Sequence, residues 1–219
     1  FHWSANPDER IKGFENNEPA TGKWDEIEVP SAWNVAGIGK DGKCKYGIPV
    51  YVNQGGIFYH KVEVGDWRKG VMREPPKTWT TYKYRNEVGQ YVRSFNVPAN
   101  WKKLRVFINF DGVDSFFYLW INGKYVGFSK NSRSLAQFDI TKYLVKGANR
   151  VAVEVYRCSD GSFLETQDMF RVAGIIRSVY LTATPEIHVG DVVAIPDLDS
   201  HYINGALNVK LSVSNQSAK

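Results

Sequence analysis

The side chains best suited to chemistry sit in one interruption near the middle of the chain. In "YRCSDGSFLETQDMFRVAGIIRSVYL", residues 156 to 181, two apolar segments flank Ser159, Asp160, Gly161, Ser162, Glu165, Gln167 and Asp168, a density of polar groups that packing alone does not ask for. Hydrolysis of a glycosidic bond uses two carboxyl groups about 5.5 Å apart when configuration is retained, and farther apart when it is inverted. Glu165 and Asp168 offer two carboxylates, but from a single loop and three residues apart, whereas catalytic pairs come from separate strand ends of a rigid scaffold. They are not read as a catalytic pair, and Glu165 is expected to cap a turn or accept backbone N–H groups.

Other chemistries find little support. The chain has no GxSxG, no P-loop and no GxGxxG, so nucleophilic and nucleotide chemistry lack their motifs. His2, His60, His188 and His201 are scattered without the spacing of a zinc site. Cys44 and Cys158 form no CxxC and are expected to be free thiols, since a domain of this size needs no disulfide staple. Between Lys61 and Arg85 lie seven basic residues against three acidic ones, which is most of the net charge of +5, interleaved with Trp67, Trp79, Tyr82 and Tyr84. Such a mixture can bind single-stranded nucleic acid, but the rest of the chain is close to charge-balanced and carries no nucleic-acid motif. A solvated loop is the default expectation, with contact to an anionic glycan as the alternative.

The elements that would position these groups read as β-structure. At 219 residues and 43% hydrophobic, the chain can bury a core larger than one ordinary domain of ~100 to 150 residues. Aromatics at 14% suit both β-structure and carbohydrate stacking. No run reaches the ~20 apolar residues of a membrane span, so a soluble protein is expected, cytoplasmic or periplasmic. "WDEIEVPSAW" shows the alternation of a short strand within an otherwise irregular N-terminal arm. "YVRSFNVPANW" predicts a strand ended by Pro98, and "LRVFINFDGV" another with Leu104, Val106, Ile108 and Phe110 on one face. "SFFYLWINGKYVGFS" joins two aromatic runs through Asn122-Gly123, the pair suited to a type I′ hairpin turn. "FDITKYL" predicts a strand end and one helical turn, and "ANRVAVEVYR" sets Val151, Val153 and Val155 against Ala152, Glu154 and Tyr156. Short strands at roughly ten-residue intervals indicate an antiparallel sandwich. After Pro185 the pattern restarts, with Leu207, Val209, Leu211 and Val213 on one apolar face; two strands cannot bury it alone. The expected division is therefore a first domain over 1–185 and the beginning of an incomplete second one over 186–219.

With the strands assigned, "FDGVDSFFYLWINGKYVGFSKNSR", "AQFDITKYL", "SDGSFLETQDMFRVAGIIRSVYL" and, upstream, "VPSAWN" with "PVYVN" resemble, in family order, the sugar-binding N-terminal domain of glycoside hydrolase family 2 β-galactosidases. The resemblance implies an all-β, galactose-binding-like jelly roll followed by the first strands of an immunoglobulin-like sandwich. A TIM barrel, outside these residues, would carry the catalytic glutamates. It aligns the second aspartate of the family's "DQD" with Asp168 and the asparagine of its "YTN" with Asn53. Both would contact the galactosyl unit, and Asp168 would share a monovalent cation with the barrel. Arg171, in the same motif, is read as structural.

By the same resemblance, sodium and magnesium ions belong to the full-length enzyme and no cofactor to these residues, which alone should be inactive. The expected partners are a galactoside or galactan substrate, the remaining domains of the same chain and further copies in a homo-oligomer, with no nucleic acid and no membrane. Thr166, Phe170 and "VAG" depart mildly from the family pattern. The long segment between Asn53 and Tyr91 departs more, and an expanded basic, aromatic loop there would extend the substrate groove towards a longer, anionic galactan. Two rival readings are a free-standing carbohydrate-binding module and a purely structural domain of a related β-glucuronidase or β-mannosidase.

Overall fold

The hairpin around Asn122-Gly123 organises the larger sheet. Asn122 and Gly123 take φ of 51° and 74°, the left-handed pair that lets a two-residue turn match the twist of its strands. The Asn122 amide donates to the Tyr143 carbonyl at 2.9 Å and to Asn149 at 2.8 Å, and its oxygen accepts the Arg150 N–H at 2.8 Å. The turn is therefore pinned to its surroundings as well as locally favoured. This computed structural model describes residues 1–16, 24–47, 49–52, 86–165 and 169–217.

Within those residues the strands are β1 (His2–Ser4), β2 (Val50–Val52), β3 (Val88–Asn96), β4 (Arg105–Phe110), β5 (Val113–Asp114), β6 (Phe116–Ile121), β7 (Lys124–Ser129), β8 (Ala136–Asp139), β9 (Ala148–Tyr156), β10 (Met169–Arg171), β11 (Gly174–Ile175), β12 (Val179–Thr184), β13 (Ile187–Leu198) and β14 (Gly205–Asn215). Two four-residue helices, α1 (Trp33–Ala36) and α2 (Gly161–Leu164), join them. A five-stranded sheet runs β1-β3-β9-β6-β7 and a three-stranded one β12-β4-β8, every pairing antiparallel. The pairs β10-β2 and β11-β5 are separate short ladders. No helix among the described residues is long and apolar enough to cross a membrane.

The core follows from the two-residue period of strands. Phe117, Leu119 and Ile121 of β6, Val153 and Val155 of β9, and Val106, Ile108 and Phe110 of β4 turn inward and are buried together. Phe110 meets Phe117 at 4.8 Å between ring centres, and Phe138 of β8 closes edge-on against both. The expected strand ends hold: β3 stops at Asn96, two residues before Pro98, and the one helical turn after β8 covers Thr141–Tyr143.

Two expectations about the N-terminal arm need correcting. Residues 24–29 form no strand. Pro30 has no N–H to offer a ladder, and the segment is tied instead by single bonds such as Asp25 N–H to the Phe1 carbonyl at 2.7 Å and Ser31 N–H to Ile175 at 2.9 Å, with Ile27 and Val29 laid against the core. Conversely, His2–Ser4, within the arm read as irregular, pairs with β3 because Phe1 is buried against Trp33, Tyr46 and Tyr91.

The arm also explains why Ala152 and Glu154, on the outward face of β9, are buried all the same. Ile11 exchanges two hydrogen bonds with the Gln90 amide, at 3.0 and 2.9 Å, and Arg10 lies 3.6 Å from Glu154, so residues 10 and 11 cross that part of the sheet.

β13 and β14 pair with each other over almost their whole length. Ile187, Val192 and Ile195 of β13 and Leu207, Val209, Leu211 and Val213 of β14 are all exposed.

Candidate functional site

The polar interruption that drew attention in the sequence has a local structural explanation over most of its length. Asp160 caps α2 by accepting the Gly161 N–H at 2.9 Å and pairs with Lys130 at 2.8 Å. Ser162 accepts the Ser159 N–H at 2.9 Å, and its hydroxyl lies 3.3 Å from that of Ser115. The Glu165 carboxylate accepts the Ser132 hydroxyl at 2.5 Å, a side-chain partner in place of the backbone N–H groups expected for it. Packing and hydrogen bonding thus account for Ser159, Asp160, Ser162 and Glu165. Asn53 and Asp168 both lie outside the described residues, as do Gln167 and the whole basic run from Lys61 to Arg85.

What is described is the frame that leads to them. β10 pairs antiparallel with β2 through Met169 with Val52, Phe170 with Tyr51 and Arg171 with Val50. This ladder is held to the sandwich by a buried ion pair. Glu87, just before β3, and Arg157, just after β9, meet at 2.6 Å with side chains 0% and 2% exposed. The other Glu87 oxygen accepts the indole N–H of Trp33 at 3.2 Å, the Asn34 amide at 3.2 Å and the indole N–H of Trp3 at 3.5 Å. Arg157 in turn donates to the Arg171 carbonyl at 3.1 Å, and Asn34 accepts the Ala173 N–H at 2.7 Å. Burial pushes the Glu87 carboxyl upward from its ordinary range, against the pull of Arg157 and the indole donors. An ion pair this far from water needs such further hydrogen bonds to offset its desolvation.

A second charged group lies beside it. Asp114 pairs with Arg133 at 2.9 Å, and the Asp114 and Glu165 charges act on the buried Arg171 guanidinium. Burial pushes the Asp114 carboxyl up to about 6, Arg133 pulling it down and Glu165 adding to the rise. The folded protein therefore holds this proton more tightly than the unfolded chain, whose Asp titrates near ~3.9. The contribution is fully present below that value and is lost as pH rises through about 6. Thermal unfolding from pH 4 to 7 should show the native chain losing about 2–3 kcal/mol relative to Asp114→Asn across this window. A difference that does not vary with pH would refute the assignment.

Neither Glu87 nor Asp114 was singled out in the sequence as a site residue. In the sequence Glu87 lies two residues after the basic run that ends at Arg85, and its partners at positions 3, 33, 34 and 157 are brought to it by tertiary packing. Cys44 and Cys158 are both free thiols, as expected; burial pushes the Cys158 thiol up to about 12, so it stays protonated and inert. Among the described residues no group of three or more His, Cys, Asp or Glu side chains is placed to hold a metal ion. A cleft of about 980 Å3 opens between β3 and β12, lined by residues such as Asp25, Arg93, Phe95 and Leu181 and by none of the charged groups around β10.

Residues 6–185 match the family model for the sugar binding domain of the glycosyl hydrolases family 2. The chain belongs to this family. The β-galactosidase of Priestia megaterium (strain DSM 319 / IMG 1521) is 44% identical to the family 2 domain over 215 residues, covering 98% of this chain and 19% of the relative. That of Halalkalibacterium halodurans is 37% identical over 219 residues, covering 100% of this chain and 20% of the relative. The family 2 domain thus spans about a fifth of the length of these relatives. In fold it is similar to the crystal structure of Bacteroides uniformis β-glucuronidase, with a TM-score of 0.66 over 99% of this chain and 21% of that one, at 19% identity. The all-β jelly-roll architecture expected from the sequence is the one found.

Proposed function

We propose that this sugar-binding domain serves a β-galactosidase-type retaining hydrolase, supplying Asn53 and Asp168 as contacts to the galactosyl unit of a site completed by a catalytic barrel elsewhere in a longer polypeptide. The observation that carries the reading is the β10–β2 ladder. Its last described pair is Val52 with Met169, and Asn53 and Asp168 are the covalent neighbours of those two residues. An amide and a carboxylate attached to one rigid ladder end make a donor and acceptor set suited to sugar hydroxyls. The buried Glu87–Arg157 pair, which grips the Arg171 carbonyl, supplies the rigidity that such contacts need. The names of the two bacterial relatives support galactose as the glycone.

In this reading Asp168 also ligates a monovalent cation together with barrel residues. The 219 residues alone do not hydrolyse substrate, and the strands after Pro185 begin a second, immunoglobulin-like unit. The exposed aliphatic side chains of β13 and β14 support that last point, because a lone pair of strands cannot cover them.

The test is a comparison of nitrophenyl glycosides with the full-length protein. The β-galactoside should be cleaved with kcat/KM at least about a hundredfold above the β-glucuronide and β-mannoside, since a site paired to one set of hydroxyls rejects sugars that leave its polar groups unpaired. Cleavage of the glucuronide or mannoside in preference would end the galactosidase reading, and cleavage of none would favour a free-standing binding module.

A further inference from the structure

The outward positions of β6 and β7 are all aromatic. Phe116, Tyr118 and Trp120 alternate along β6 with the buried Phe117, Leu119 and Ile121, and across the ladder Phe128 faces Tyr118 while Tyr125 faces Trp120. Tyr156 of β9 stands opposite Phe116. The rings form one continuous surface: Phe116 lies 4.7 Å from Tyr118, 5.7 Å from Phe128 and 5.8 Å from Tyr156, and Tyr125 lies 6.2 Å from Tyr118 and 5.9 Å from Trp120. Tyr125 and Phe128 are about half exposed, at 49% and 53%.

The N-terminal arm borders the surface on one side. Phe14 packs edge-on against Trp120 at 5.7 Å, and at the arm's foot Glu154 accepts the Tyr156 hydroxyl at 2.8 Å beside Arg10.

We propose that this face is a second glycan-binding surface, taking a neutral polysaccharide chain laid across β6 and β7. That the chain is a galactan rests on the function proposed above. Three observations favour a glycan over another protein surface. First, the half-exposed rings of Tyr125 and Phe128 offer apolar surface to the C–H faces of pyranoses, while the hydroxyls of Tyr118 and Tyr125 and the indole N–H of Trp120 provide polar edges for sugar hydroxyls. Rings of this kind also lose little side-chain freedom on contact.

Second, the same chain shows what an exposed sheet face built for packing looks like. The large apolar side chains exposed on β13 and β14 are Val, Ile and Leu, set among Asp191, Asn208 and Lys210, whereas those exposed on β7 are Tyr125 and Phe128. Third, the carboxylate at the margin, Glu154, is already matched by Arg10, and Lys124 at the hairpin end is the one charged residue of β7, which suits an uncharged ligand. The rings pack largely edge to face and run along two strands, an extent that suits an extended chain more than a single sugar.

The experiment is native gel electrophoresis of the full-length protein through soluble galactan, arabinogalactan, xylan and glucomannan, with and without saturating free galactose. The native protein should be retarded by galactan with galactose present. The variant Tyr125→Ala/Phe128→Ala should bind about tenfold more weakly at an unchanged thermal midpoint. Tyr125→Ala alone, at the exposed rim, gives the same reading if the double variant is unstable. Retardation by xylan or glucomannan that the variant weakens also upholds the surface, while counting against galactose as the glycone. Absence of retardation by any polysaccharide overturns the proposal and leaves the active-site reading intact. Retardation that galactose abolishes and the variant does not affect overturns it too. So does a variant that only lowers the assembled mass in solution, which would make the face a contact between copies of the chain.

Discussion

Asp168→Ala in the full-length protein is expected to lower kcat/KM for a β-galactoside by on the order of a hundredfold, with the thermal midpoint of the domain unchanged. On the proposed role, the magnitude follows from removing a charged hydrogen-bonding partner of a sugar hydroxyl, worth ~1.5–3 kcal/mol, and from leaving that hydroxyl unpaired. The separation of activity from stability follows from the structure around it. The turn that leads to this residue is held by Asp160, Ser162 and Glu165 and the strand that leaves it by the Arg171 carbonyl, so deleting the carboxylate dismantles none of those bonds. Steady-state kinetics beside a melting curve provide the check. Unchanged kcat/KM would mean that the domain only buttresses its neighbours. A fall in kcat/KM together with a large fall in the midpoint would mean that the residue is structural.

The opposite pattern is expected at Glu87. Glu87→Ala removes the carboxylate from beside the Arg157 guanidinium, 2% exposed, and strips three donors of their common acceptor. Breaking a buried pair from one side typically costs ~3–5 kcal/mol. In a domain of this size that is a fall of about 10 °C or more in the unfolding midpoint. Glu87→Gln keeps the acceptor for the indoles and should cost less, and the double change Glu87→Met/Arg157→Met should recover part of the loss, because no charge is then left buried. Calorimetry on the three variants measures this. A loss under about 1 kcal/mol for Glu87→Ala would show that water reaches the pair and that it anchors nothing.

Much of the sandwich was legible in the sequence for definite reasons. β6 and β7 announce themselves through strict alternation and a turn pair with a known backbone requirement, and β3, β4 and β9 through period-two patterns bounded by proline or glycine. What was not legible depends on contacts between distant segments. The alternation at residues 24–29 is real, but it serves to lay Ile27 and Val29 against the core, and no neighbouring strand is paired with it. Glu154 alternates with the inward Val153 and Val155 and is buried nonetheless, beside Arg10 and bonded to Gln90, which Ile11 also holds. The polar run after β9 looked purposeless only because its partners, Ser115, Lys130 and Ser132, belong to other elements. The family motif drew attention to Asp168 and Asn53, and pattern alone would not have chosen them over the other polar residues of their loops.

The ion pair beneath the ladder also limits how this domain can diverge. A hydrophobic replacement of similar volume is often at least as stable as a buried charge pair, so an uncharged descendant of this fold is chemically reasonable. Reaching it by single substitutions is hard, since losing Arg157 first leaves a buried carboxylate without its guanidinium, and losing Glu87 first leaves two indoles and an amide without their acceptor. Lineages carrying this arrangement are therefore expected to keep both charges or lose both together, and a sequence retaining just one would mark a domain that has been rebuilt around it.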